Sequence, residues 1–498
     1  MKTYSYIILL FLLVGSVYAQ EKTKLEIINS NFSYFDADVN PDARRLVDSV
    51  IFKHEGATMF CDSAWHYFKE NRFEAFGNIH INQGDSLHLY GNHLDYIGQE
   101  NKAIIQGDIV LKDEQVHLTT EELHYDLSSK IASYYTGANI LSGDNNLYSI
   151  KGNYYSETKM LLFKKDVLLE NPKYTTESDT LKYHTLNEVA YFVGPTKINS
   201  DNNLIYCENG WYNTQSDISQ FNKNAYLWSG DQCLSGDSLY YDRNRGYGLA
   251  IKNVAILDTL NDYIISGHWA EYFEKEDSSI ITENTLLTLI MASDSLFMHG
   301  DTIKGTLDKS GKRLLKAYNH VKFFSKDLCG KCMNLTYSVS DSTIRLFEEP
   351  VLWSSDYQLS GNNISLQMAN NQIQSLLLEN NAFIISEGSP NLFNQIKGRE
   401  MLGYFKNNEL RKIDVLGNGE TVYVLKDESE LITGVNTVSC SEMRIDVKVK
   451  NIQRISFQKE PDATLYPYKE LPEKWKLLKG FSWRKSEKPL TKEDIFLH

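Results

Sequence analysis

Proline is scarce in this sequence and basic charge is in deficit. The 498 residues include 9 prolines beside 31 tyrosines, 22 phenylalanines and 29 glycines, a balance that suits a long run of strands. Lys and Arg number 51 against 65 Asp and Glu, a net charge of −14. A chain of that sign lacks the basic face that nucleic acid needs, so nucleic acid is not its partner. Six cysteines (Cys61, Cys207, Cys233, Cys329, Cys332 and Cys440) are too sparse for a disulfide scaffold at this length. Cys329-Gly330-Lys331-Cys332 is a lone CxxC without a second ligand pair for zinc or an α/β setting for redox work, and reads as a local disulfide or free thiols. The sequence contains no HExxH and no GxSxG. Gly305 to Arg313 is near a P-loop, with one residue too many between its glycines and Arg313 where Ser or Thr is required. His80, His88 and His93 read as exposed sheet histidines. No metal and no cofactor is called for, and a catalytic role is not expected.

The chain opens on a secretory layout. Lys2 supplies positive charge, Ile7 to Val14 is apolar, and Val17-Tyr18-Ala19 precedes Gln20 as a small-residue cleavage site. Residues 1–19 are therefore expected to be a signal peptide cut near Ala19. No cysteine at the cut offers a lipid anchor. No later segment approaches the ~20 apolar residues of a membrane helix, so the mature chain is expected to lack a membrane span.

What the chain has is a repeat. Tyrosines stand at 67, 96, 125, 154, 183, 212 and 241, each 29 residues from the last. Trp65, Leu94, Leu123, Gly152, Leu181, Gly210 and Leu239 lie two positions earlier. A second anchor follows, as in Phe76-Gly77-Asn78-Ile79 and Gln106-Gly107-Asp108-Ile109. The spacing loosens after Tyr241, and about thirteen units are expected in all.

One unit is legible in detail. Leu87 and Leu89 alternate with polar neighbours, as do Leu94 and Tyr96, and the parity changes across Gly91-Asn92. Alternation predicts a strand with one buried face, and a parity change at glycine predicts a bulge or bend. Gly98 to Asn101 is a turn, and Ala103, Ile105, Gly107, Ile109 and Leu111 return with a bend of their own at Gly107. Each unit is thus a hairpin of two bent strands, and the stack is expected to form two facing antiparallel sheets. A parallel β-helix is the nearest rival. The recurring Asp-Ser/Thr-Leu phrases at Asp85, Asp179, Asp237 and Asp294 read as strand entries. Residues 20–50 read as an N-terminal arm or strand, 51–290 as regular repeats, 291–460 as divergent repeats and 461–498 as a cap or tail.

These phrases carry a resemblance. Met59-Phe60-Cys61-Asp62-Ser63-Ala64, Glu74-Ala75-Phe76-Gly77-Asn78-Ile79, Gln83-Gly84-Asp85-Ser86-Leu87, Leu123-His124-Tyr125-Asp126 and Leu239-Tyr240-Tyr241-Asp242 resemble the OstA-like family. So does the tail Leu478 to Arg484. This family comprises relatives of the periplasmic lipopolysaccharide-transport protein LptA, in the long form found in Bacteroidota. The resemblance implies an elongated all-β open jellyroll with a V-shaped trough. It implies a periplasmic, outer-membrane-associated carrier that holds the lipid A acyl chains of lipopolysaccharide. It also implies partners joined through edge strands, either other transport proteins or a second copy. The expected groove lining is Leu94, Tyr96, Ile105, Ile109, Leu111, Leu123, Tyr125, Tyr183, Phe192, Ile198, Tyr212, Phe221, Leu239, Tyr241, Ile251 and Leu257. Two readings stay open: a lipid-transport trough, and an exported scaffold that bridges envelope proteins through strand edges with its core packed shut. A carbohydrate-active solenoid would need paired outer carboxylates near exposed aromatics, and no pair stands out.

Overall fold

The fold was obtained as a computed structural model. It describes residues 25–54, 56–84, 87–114, 116–201, 203–291, 294–370, 372–406, 409–429, 431–448 and 451–497. The export signal expected over residues 1–19 lies outside the described residues. The chain is all-β and its strand pairings are antiparallel. It divides into two compact units: residues 1–172 with 179–186, and residues 173–178 with 187–498.

One backbone device builds both units. Most corners are turned by two consecutive left-handed residues, as at Asp48–Ser49, Gly77–Asn78, Gly107–Asp108, Lys165–Asp166, Lys223–Asn224, Lys252–Asn253 and onward to Lys459–Glu460, whereas those at Gly137 and Gly194 have one. Gly, Asn and Asp adopt that conformation most readily; Lys and Glu hold it at several corners, and no Val, Ile or Thr does among the described residues. The neighbouring strand slips register at the same level. His93↔Gln106 is followed by Tyr90↔Val110, so Gly91 and Asn92 sit opposite the corner. A side-chain amide often stitches the corner to that neighbour. Asn78 donates to Asp62 at 2.8 Å, Asn92 to Asp108 at 3.1 Å, Asn224 to Glu208 at 2.8 Å and Asn253 to Asp237 at 3.1 Å. The corner cuts each strand into two arms, and the arms stack into two walls. Asp237 and Asp179 are therefore mid-strand residues, and the strand-entry reading fails for both. Asp237 is a corner residue because its strand, Gln232–Asp242, begins five residues before it.

In the N-terminal unit, Glu26–Asn29 and Phe32–Tyr34 pair with the two arms of Ala43–His54. Ala43–His54 is already a full bent strand, so the regular repeat begins ahead of residue 51. Full strands then follow as Ala57–Tyr67, Arg72–Gln83, Leu87–Ile97, Lys102–Lys112 and His117–Asp126. One register assignment is corrected here. The residue of Ala57–Tyr67 that shares a face with Phe73 and Tyr96 is His66, which pairs with Phe73 as Phe73 pairs with Tyr96. Tyr67 and Trp65 stand one residue off, on the outer face, where Arg72 lies 5.1 Å from the Tyr67 ring. A one-residue slip exchanges the faces of a strand, and this unit is 30 rather than 29 residues from the next. His80, His88 and His93 are half-exposed on the outer face, as expected for sheet histidines.

In the C-terminal unit, bent strands run from Val189–Asn199 through Tyr263–Phe273, and later strands lengthen to Gln372–Ser389 and Glu409–Lys426. The Gly305 to Arg313 phrase is the end of strand Thr302–Leu307 and a turn whose Asp308 carboxylate accepts the Ser310 and Lys312 amides, with no phosphate cradle geometry. After Asp462–Tyr466 the chain leaves the sheet as short helical turns, including Glu473–Lys476. This tail packs on the outer face of its own unit. Leu471 and Leu478 join Phe383, Ile385, Val422 and Val435 in one apolar cluster. Cys329 faces outward beneath this side, against Val351 and Trp353, while Cys332 pairs with Val321 on the inner face. Residues three apart on a strand point to opposite faces, so the CxxC is two separate buried thiols and no local disulfide forms.

Candidate functional site

The inner face, between the two walls, is where the expected lining residues were placed. In the N-terminal unit it is closed. Leu94, Tyr96, Ile105, Ile109, Leu111, Leu123 and Tyr125 all face inward, and none is more than 2% exposed. They form rows across the strands, such as Ala75–Leu94–Ile105–Leu123 and Ile81–Leu89–Leu111–Leu118. The tyrosines bond across the core from one wall to the other. The Tyr96 hydroxyl meets His54 on the opposite arm, Tyr125 donates to Gln83, and Tyr154 donates to Asp113. Lys159 also holds Asp113, at 2.6 Å. Burial pushes the Tyr125 and Tyr134 hydroxyls up to about 12, so each stays protonated and able to donate. Burial and the neighbouring Arg44 bring His66 down to about 4, so it is a neutral inner-face residue. These seven positions are packed core.

The inner face of strands 189–273, within the C-terminal unit, is different. Its residues follow the same rows. Ile198 pairs with Ile205, Ile205 with Leu227, Leu227 with Leu234, Leu234 with Ile256, and Ile256 with Ile265. Leu111 of the closed unit is fully buried, whereas Ile198 and Ile256, at the same place in later repeats, are half-buried. A second row, Phe192–Gly210–Phe221–Leu239–Ala250–Ala270, mixes large and small side chains. Phe192, Phe221 and Leu239 face inward as expected. Tyr212 and Tyr241 also face inward and are half-buried, but neither reaches across. Tyr212 donates to Asp217 at 2.6 Å and Tyr241 to Glu274 at 2.7 Å, both near the turns of their own wall. Tyr183, in the N-terminal unit, is half-buried on the inner side of its strand. The inner face closes again further along the C-terminal unit. Leu289, Leu296, Met298 and Phe323 from one wall meet Leu335, Tyr337, Ile344 and Leu366 from the other with no room for a water molecule.

Two expected lining residues are on the wrong side. Ile251 pairs with Ser238 and Leu257 with Cys233, whereas the inward residues of the same strand are Ala250, Val254 and Ile256. The cause is visible in Val254-Ala255-Ile256-Leu257, where both faces are apolar and alternation cannot tell them apart. Sequence reading missed Ile205, Leu227, Leu234 and Ile256. The register of Leu89 and Leu111, carried forward by the repeat, would have found all four.

The arrangement offers an apolar, partly open face and little chemistry. Among the described residues, no cluster of three or more His, Cys, Asp or Glu is placed to hold a metal ion. No described helix is long and apolar enough to cross a membrane. A stack of cornered antiparallel strands with an apolar inner face defines an elongated all-β fold. The model of OstA-like proteins matches residues 22–179 and 175–237, which supports an OstA-like relationship for this chain. The family is associated in general with periplasmic lipid and lipopolysaccharide transport. No curated protein matches the chain.

Proposed function

We propose that this chain is a non-enzymatic periplasmic carrier that moves lipopolysaccharide toward the outer membrane, with acyl chains lying on the inner face of strands 189–273. The observation that carries this reading is the half-exposed row Ile198–Ile205–Leu227–Leu234–Ile256. Apolar side chains left partly in water at the centre of a bent sheet gain by covering an alkyl chain, at about 0.8 kcal/mol per buried CH₂. Four strand spacings span about 19 Å, longer than the ~15 Å of one acyl chain in half a bilayer core, so a chain can sit at more than one point along the row. The family supports the substrate class, and the edge strands support partners that add strands. The test is in-cell photocrosslinking from a probe at Leu234, with Tyr191 on the outer face as control. A lipopolysaccharide adduct at Leu234 alone is expected. Its absence, with the protein exported and folded, rejects the carrier.

A second reading is an exported scaffold. The closed inner face of the N-terminal unit favours it, because a scaffold needs a packed core and no cargo space. Purified protein free of lipid, with Leu234 giving protein adducts only, would select it.

A further inference from the structure

One outer row of the C-terminal unit is largely apolar, eleven of its fifteen members being Leu, Ile, Val, Phe, Trp or Cys. Strand pairings connect Leu204, Trp228, Cys233, Leu257, Ile264, Thr288 and Phe297 in sequence. The same row continues through Phe324, Cys329, Trp353, Gln358, Ile385, Gln395, Val422 and Thr437. In the N-terminal unit the equivalent row reads Thr58–Asn82–His88–Lys112–His117–Leu141–Asn146–Glu170, polar in all but one place. Polar side chains are the ordinary dress of an outer sheet face, and a wall apolar on both sides is ordinarily covered on both.

The chain's own tail covers part of it. Gln395 donates to the Lys476 carbonyl at 2.8 Å and accepts the Leu478 amide at 2.8 Å. Gln358 does the same for Ser482 and Arg484, at 2.6 and 2.7 Å. Further on, the Lys492 ammonium lies 4.1 Å from the Phe297 ring centre, and Phe496 packs on His299. Row members from Cys329 to Thr437 are accordingly buried, while those from Leu204 to Phe324 are half-exposed.

We infer that the stretch from Leu204 to Thr288 is a docking surface for an extended polypeptide segment of a partner protein, lying on the line the tail has begun. The occupant is argued from continuity: the same row already holds a polypeptide segment, through the hydrogen bonds of Gln358 and Gln395 and the apolar contacts of Leu478, Phe481 and Trp483. Five strand spacings make about 24 Å, which an extended segment of about seven residues spans. Trp228 and the neighbouring Tyr206 and Tyr226, whose rings stack at 5.1 Å, are residues that favour protein interfaces. The inference does not depend on what the inner face carries.

The experiment uses the full chain in cells, with a photocrosslinker at Leu257 or Trp228. The expected result is one discrete protein adduct whose crosslinked peptide maps to a single segment of one partner. That segment, made as a synthetic peptide, should bind the purified chain and lose at least tenfold in affinity to Leu257→Lys. Leu257→Thr, milder for the sheet, should lose affinity in the same direction with an unchanged melting temperature. Lipid adducts only, adducts to a second copy of this chain, no adduct from exported protein, or a peptide indifferent to both substitutions would overturn the inference.

Discussion

The N-terminal unit and strands 189–273 of the C-terminal unit are built on one corner and one repeat, yet their faces are dressed in opposite ways. The first has a closed apolar inside and a polar outside. The second has a half-open inside and an apolar stripe outside. The backbone is common to both, so the difference lies in side chains. In the closed unit Tyr96, Tyr125 and Tyr154 reach residues on the facing wall. In the open strands the matching Tyr212 and Tyr241 bond carboxylates near their own turns. A repeat can thus be copied for its fold while its interior is retuned from core to groove.

The largest expected effect breaks the closed side. Ile105→Asp puts a charge at a fully buried position and should cost at least the ~2–5 kcal/mol of truncating a buried isoleucine, with charge desolvation added. Leu234→Asp, at a half-buried inner position, should cost about 1 kcal/mol and leave the protein folded. Chemical denaturation of the two variants measures this, and equal losses would erase the distinction between core and groove.

That contrast also shows what was legible from sequence. Strand bending at Gly91-Asn92 and Gly107 followed from the parity change, the inward faces of Leu94 and Tyr96 from the polar His93 and Asp95 before and between them, and that of Ile105 from its alternation with Ala103 and Gly107. Tyr67 misled because an identical residue type one position off still satisfies a 29-residue count. Ile251 and Leu257 misled because their strand is apolar on both faces. Openness itself was illegible: Leu111 and Ile256 are similar residues at equivalent positions, and only packing from the opposite wall separates them.

Next in size are the tyrosines. Tyr154→Phe leaves buried Asp113 without one of its donors and should cost about 1–3 kcal/mol. Tyr241→Phe removes a bond to a surface carboxylate and should cost about 0.5 kcal/mol or less. Thermal melts distinguish the two, and a larger loss at Tyr241 would contradict the contrast between cross-wall and same-wall tyrosines.

A smaller effect is pH-dependent. His66 has its folded value lowered to about 4, so between that value and the ordinary one near 6.5 the folded state binds fewer protons than the unfolded state. Stability should therefore fall as pH drops from about 6.5 toward 4, and His66→Phe should flatten that slope. The tail has its own titration. Arg484 and Lys331 hold Glu487 down to about 2, so its contribution is present above pH ~4.5 and lost as pH falls toward 2. Amide exchange in residues 478–488 should rise over that lower range in the full chain and less so in Glu487→Gln, whose tail contact has no proton to gain.

The most direct test of the central claim compares two inner positions at equivalent places in the repeat. Photocrosslinkers at Leu111 and Ile256 in the exported, folded protein should yield a lipopolysaccharide adduct from Ile256 and none from Leu111. Equal adducts from both, or an adduct from Leu111 alone, would contradict an account in which the open face of strands 189–273 carries the lipid.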